Sequence, residues 1–178
     1  MHNFYAGIFI IDLSDWMVLA GQHHKYPRDL KALGGKSLLL NKLGERPESP
    51  FETAVREVWE EGRTRVLKAT LVFTEETKGW GGKHTRYFFF ADQISEALHK
   101  KEVWIVDGKG KRNIVEKLTT RWVPIVEFSG RLFLEQHAAF GAVLSLLASR
   151  NKELLSSSKF RGLMIRFPEP LNLRFDLE

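Results

Sequence analysis

Cysteine is missing from all 178 residues, which excludes disulfides and thiolate metal sites. Long hydrophobic runs are missing too: no stretch approaches the roughly 18 apolar residues of a membrane span. The first apolar run follows no basic region and is interrupted at Asp12, so it does not read as a secretory leader. There is no internal repeat and no low-complexity tract. These absences lead us to expect a soluble, cytoplasmic chain with no membrane partner. Its length favours a single domain. Such a domain buries roughly 70% of its unfolded surface and needs no covalent staple. Acidic excess is also lacking, since net charge is +5. That surplus points equally to a polyanionic partner and to a solvated basic surface.

Residues 6–13 (AGIFIIDL) and 15–21 (DWMVLAG) are β-rich runs joined by a short polar turn, the pattern of a hairpin. The stretch 22–48 is basic and irregular. Further strands are expected at 66–74, 85–91, 102–106 and 121–127. Helices are expected at 49–61, near 93–100, and over 131–149, where Phe133, Phe140 and Leu147 recur every seven residues. The tail beyond Lys152 would add a strand or lie across the surface. Strands alternating with helices in this order indicate a layered α/β domain with helices against a mixed sheet.

The best-specified element is SPFETAVREVWEEG, residues 49–62. Ser49 can cap it, Pro50 suits the first turn and Glu52 completes a capping box. Gly62 can close the other end in a left-handed conformation. Phe51, Ala54, Val55 and Val58 share one face that should dock on the sheet. Glu57, Glu60 and Glu61 stand at i, i+3 and i+4 and converge on a neighbouring face. Few basic residues are near them in sequence. A hard divalent cation with oxygen ligands would relieve the repulsion, whereas an ordinary acidic surface is the bland explanation.

The wider spacing resembles the Nudix box, which reads glycine, five residues, glutamate, seven residues, then R-E-aliphatic-x-E-E-x-G-aliphatic. Glu48, seven residues, and Arg56-Glu57-Val58-Trp59-Glu60-Glu61 match its core, and Gly34-Gly35-Lys36 looks like its opening. Twelve residues separate Gly35 from Glu48, an insertion of seven, and Gly62-Arg63 follows the glutamates where the box has one residue and then glycine. The resemblance implies an α/β/α sandwich with a mixed central sheet, a Nudix hydrolase domain over 1–152, and a C-terminal extension over 153–178 packed on the same domain.

It also implies a pyrophosphohydrolase that cleaves a diphosphate bond with magnesium, manganese being the alternative. Glu57, Glu60, Glu61 and the backbone carbonyl near Gly35 would hold the metal. Glu57 would also act as general base or orient water, with Arg56 holding Glu57 and Glu48 pairing with Arg56. A further carboxylate would come from Glu102, Asp107, Glu116 or Glu135.

The tract 78–87, KGWGGKHTRY, suggests specificity: Lys83, His84 and Arg86 for phosphates and Trp80 for stacking a base, with Lys36 beside them. Its entry into the following strand resembles diphosphoinositol-polyphosphate and dinucleoside-polyphosphate hydrolases of the family. A glycine-rich turn with solvated charges is the plain alternative. A second basic set, Lys109, Lys111, Arg112 and Lys117 with His23, His24, Lys25 and Arg28, would offer a path for RNA. His137 reads as a core histidine. The expected partner is a nucleotide or polyphosphate substrate, with RNA or a second copy of the chain as further partners. The competing expectation is a catalytically silent module of the same fold that binds RNA or protein.

Overall fold

The computed structural model describes residues 4–23, 25–38, 41, 43–79, 82–95, 103–107 and 116–170. In chain order these form β1 (Phe4–Phe9), β2 (Ile11–Asp12), β3 (Met17–His23), β4 (Leu33–Lys36), α1 (Pro50–Gly62), β5 (Val66–Gly79), β6 (Gly82–Ile94), β7 (Val103–Asp107), β8 (Glu116–Pro124), α2 (Ile125–Arg131), α3 (His137–Arg150) and α4 (Ser158–Arg166). The mixed sheet has the order β4-β1-β6-β5, with β1 parallel to β6 and the other pairs antiparallel. A second, antiparallel sheet runs β2-β3-β8-β7. Among the described residues the mixed sheet thus has an antiparallel one beside it: the chain leaves the first after Phe9 and enters the second at Ile11.

Strands β1, β3 and β6 each carry four consecutive buried residues, so they are covered on both faces, which explains their hydrophobic runs. Along β6, Phe88 and Phe90 enter one core while Phe89 and Ala91 enter the other, the period-2 alternation of a strand. The second core is closed by Ala54 and Val58 of α1, both 0% exposed. The first is closed by Phe128 of α2, Phe140 of α3 and Phe160 of α4. Helices therefore cover both faces, giving an α/β/α sandwich. Among the described residues no helix is long and apolar enough to cross a membrane.

Several boundaries differ from the sequence reading, each for a tertiary reason. The β5–β6 ladder continues through Gly79 and Gly82, so much of the glycine-rich tract is paired strand. The strand expected over 121–127 stops at Pro124, and Ile125–Arg131 is helical. Phe133 lies outside α3, because Leu30 and Leu132 form a bridge flanked by bonds from Leu30 N to Arg131 O and Phe133 N to Leu30 O. Gln93 and Ile94 belong to β6, and 96–100 lie outside the described residues. The described residues after Lys152 form a short 3-10 turn and then α4, largely exposed, with no strand among them, and 171–178 lie outside the described residues. Phe167 packs on Phe140 with ring centroids 4.9 Å apart. Gly141 permits that approach, since a Cβ there would fall 2.4 Å from the Pro168 carbonyl oxygen.

Candidate active site

α1 begins as its sequence dictates. Ser49 Oγ accepts from Glu52 N at 3.2 Å and Glu52 accepts from Ser49 N at 2.8 Å, a closed capping box. Its C-terminus differs from expectation. Gly62 is the last helical residue, and Arg63 takes the left-handed conformation, with φ 51°. The left-handed residue is therefore Arg63, one position beyond the glycine expected there. The guanidinium lies over the Trp59 ring at 5.8 Å, a contact that offsets part of the cost of this backbone. Phe51, expected on the docking face, is 40% exposed.

Arg56 is the hub. Its Nε donates to Glu48 Oε1 at 2.7 Å and its Nη2 to Glu48 Oε2 at 3.2 Å. Nη1 donates to Glu57 at 2.7 Å and to Glu60 at 3.0 Å, and Nη2 also reaches the Lys36 carbonyl at 2.9 Å. Thr53 Oγ1 and Leu38 N complete the shell of Glu48. Burial alone would raise the Glu48 carboxyl, but Arg56 and the Leu38 and Thr53 donors outweigh it and hold the group below its ordinary value. The other two acids behave differently. Burial raises the Glu57 carboxyl against the pull of Arg56. Burial and nearby Glu57 push Glu61 up to about 7, although Lys31 opposes them.

Lys31 was not anticipated. Its Nζ lies 3.4 Å from Glu61 Oε1 and 3.4 Å from the Gly34 carbonyl oxygen, while Gly34 N donates to Glu61 Oε2 at 3.3 Å. The sequence offered the trio little local help beyond Arg56; in the fold Arg56 serves Glu57 and Glu60, and Lys31 serves Glu61. Nothing in the spacing signals Lys31, which is 30 residues from Glu61. Among the described residues no three acidic or histidine side chains are gathered closely enough to hold one ion.

The donor set nevertheless suits a hard cation, being three carboxylates on one helix face with backbone carbonyls alongside. Gly35 supplies a cradle: a Cβ there would fall 2.4 Å from the Glu57 carboxylate. β4 carries Gly34, Gly35 and Lys36, and its pairing with β1 sets them against α1.

A cavity of about 460 Å³ is lined by Tyr5, Lys31, Lys36, His84, Arg86 and Glu135, among others; none of the three glutamates lines it, and Lys31 connects it to Glu61. Three of the five expected substrate residues, Lys36, His84 and Arg86, therefore share one wall system. Lys83 does not line it and faces outward, 3.9 Å from Glu76. Trp80 lies outside the described residues. Arg86 pairs with Glu75 and, at 3.2 Å, with Glu135, which brings one of the four candidate distant carboxylates to the cavity. Asp107 and Glu116 face each other in the β7–β8 register, and Glu102 lies outside the described residues. In the basic set proposed for RNA, His24, Lys109, Lys111 and Arg112 also lie outside them. His137 is structural: Nε2 meets the Leu132 carbonyl at 2.9 Å and its ring packs on Phe167.

No family model matches the chain, and no curated protein matches it in sequence. In three dimensions it is similar to the E. coli ORF135 protein, with TM-score 0.54 and 16% identity over 84% of this chain and 93% of that one. A MutT structure from work on Aliivibrio salmonicida and Vibrio cholerae aligns at TM-score 0.51 and 17% identity, covering 79% and 94%. A MutT Nudix hydrolase from Burkholderia pseudomallei aligns more loosely, at TM-score 0.47 and 17% identity over 70% and 84%. The chain has the Nudix fold, and at such identities the likeness reaches the fold and no further.

Proposed function

We propose that this chain is a magnesium-dependent pyrophosphohydrolase, manganese being the alternative ion, that cleaves a diphosphate bond in a nucleoside diphosphate linked to another group. The observation that carries this reading is the buried Glu48–Arg56 pair holding two of the three glutamates beside the Gly35 cradle. A helix face needs no such internal scaffold merely to be soluble. The cation, when bound, would screen substrate charge and activate water. Glu57, Glu60, Glu61 and the Gly35 carbonyl would hold it. Arg56 fixes the Glu57 carboxylate in one orientation, and Glu48 keeps the guanidinium from swinging away. Glu57, held by Arg56 at 2.7 Å, is the group assigned to take a proton from water or to orient it. Lys36, His84 and Arg86 supply donors for phosphate oxygens on the cavity wall.

A cavity with several basic residues supports substrates of extended negative charge: capped RNA 5′ ends, dinucleoside polyphosphates or diphosphoinositol polyphosphates. The test is a panel of these compounds with magnesium, manganese or chelator, with product analysis to locate the bond broken. No metal-dependent turnover of any of them by a folded sample would overturn the proposal. A silent module binding RNA or protein is the second reading, favoured by the neutralisation of the acids by Arg56 and Lys31. Binding of RNA without turnover would select it.

A further inference from the structure

The backbone of Lys31 is pinned on both sides. Lys31 N donates to Gly21 O and Gly21 N to Lys31 O, each at 2.9 Å. Its neighbours Leu30 and Ala32 are both 0% exposed in the first core. Extended backbone alternates side-chain direction, so with its neighbours turned into that core Lys31 is turned away from it, toward Glu61 and the cavity.

The two cations at the acidic trio are held unequally. Arg56 makes short bonds to Glu48, Glu57 and the Lys36 carbonyl, and its side chain is 4% exposed. Lys31 makes two contacts, both at 3.4 Å, and its side chain lines an open cavity. An ammonium on a flexible stem with two long contacts is the one that can yield its carboxylate; a rigid guanidinium with short bonds cannot.

We propose that Lys31 is a tethered counter-ion of Glu61 that competes with a divalent cation for that carboxylate and thereby sets the cation affinity of the site. This rests on the assignment of Glu61 as a cation ligand under the proposed function. Lys31 is then a positioning residue: with the site empty it keeps a buried carboxylate paired, and with the site filled its charge opposes the incoming ion.

The test is a titration of the full chain with Mn²⁺ alone, followed by electron paramagnetic resonance, with no substrate present. Lys31→Met should bind Mn²⁺ roughly tenfold tighter than the wild-type chain, since one like charge beside the Glu61 ligand is removed. Lys31→Arg, which keeps the charge, should stay within roughly threefold of wild type. The gain should vanish in Lys31→Met/Glu61→Gln. A folded Lys31→Met chain that binds Mn²⁺ no tighter, or more weakly, overturns the proposal. Lys31→Gln supplies the same comparison should the Met variant not fold. If the wild-type chain binds Mn²⁺ and the substitutions change nothing, only the role of Lys31 falls. If no version binds Mn²⁺, the assignment of the cation site falls as well.

Discussion

Two arginine–glutamate pairs attach to α1, and each is a two-point grip. Near the N-terminus Arg46 holds Glu52 at 2.6 and 2.9 Å, with side chains 55% and 36% exposed. Eight residues into the motif, Arg56 holds Glu48 at 2.7 and 3.2 Å, with side chains 4% and 3% exposed. The chemistry is the same and the surroundings are opposite. Water and salt screen the first pair, so it adds little beyond the capping box it braces. The second has left water, so each partner is indispensable to the other. Burial, rather than the presence of an ion pair, separates a helix-end ornament from the scaffold of a candidate active site.

The difference breaks first at the residue Arg56 presents. Glu57→Gln should lower turnover of whichever diphosphate is found by roughly 10²- to 10⁴-fold while far-ultraviolet circular dichroism stays unchanged. Glu52→Gln should leave turnover near wild type. Equal losses in the two variants would remove the distinction between the ends of the helix.

Stability should divide along the same line. Glu48→Ala strands a buried guanidinium and should cost about 3–5 kcal/mol in urea unfolding. Arg46→Ala should cost under about 1 kcal/mol. A small loss for Glu48→Ala would mean that Glu57 and Glu60 alone suffice to hold Arg56.

Acid sharpens the contrast. The folded-state proton affinity of Glu48 lies below its ordinary value, so its stabilising contribution is present above the unfolded carboxyl pKa of about 4.3. It is lost as pH falls through the lower folded value. Between neutrality and about pH 3 the urea midpoint should therefore fall less steeply in Glu48→Gln than in the wild-type chain. Parallel curves would show that this group does not govern the acid limb.

The smallest effect belongs to the helix exit. Arg63→Gly should change stability by under about 1 kcal/mol, relief of left-handed strain being offset by lost Trp59 contact and greater unfolded-state freedom. A loss well beyond that would mean the arginine–indole contact outweighs the backbone strain.

Much of this was readable along the chain. Ser49, Pro50 and Glu52 announced the start of α1, and Glu48, Arg56 and the three later glutamates announced their grouping, because helical geometry converts fixed spacing into a shared face. The exit was misread: Gly62 was expected to take the left-handed position that Arg63 occupies. A glycine one residue away satisfies the same local rule, and docking of the helix decides between them. A strand was expected over 85–91, yet only the fold shows that Phe88 and Phe90 enter one core and Phe89 the other.

Sequence alone determined the helix, its cap and the run of carboxylates, since these depend on residues within two turns of one another. Tertiary structure alone decided what neutralises Glu61 and what lies beside the carboxylates. Lys31 meets Glu61 and Arg86 meets Glu135 across 30 and 49 residues, separations at which no periodicity survives and only the pairing of strands sets who meets whom.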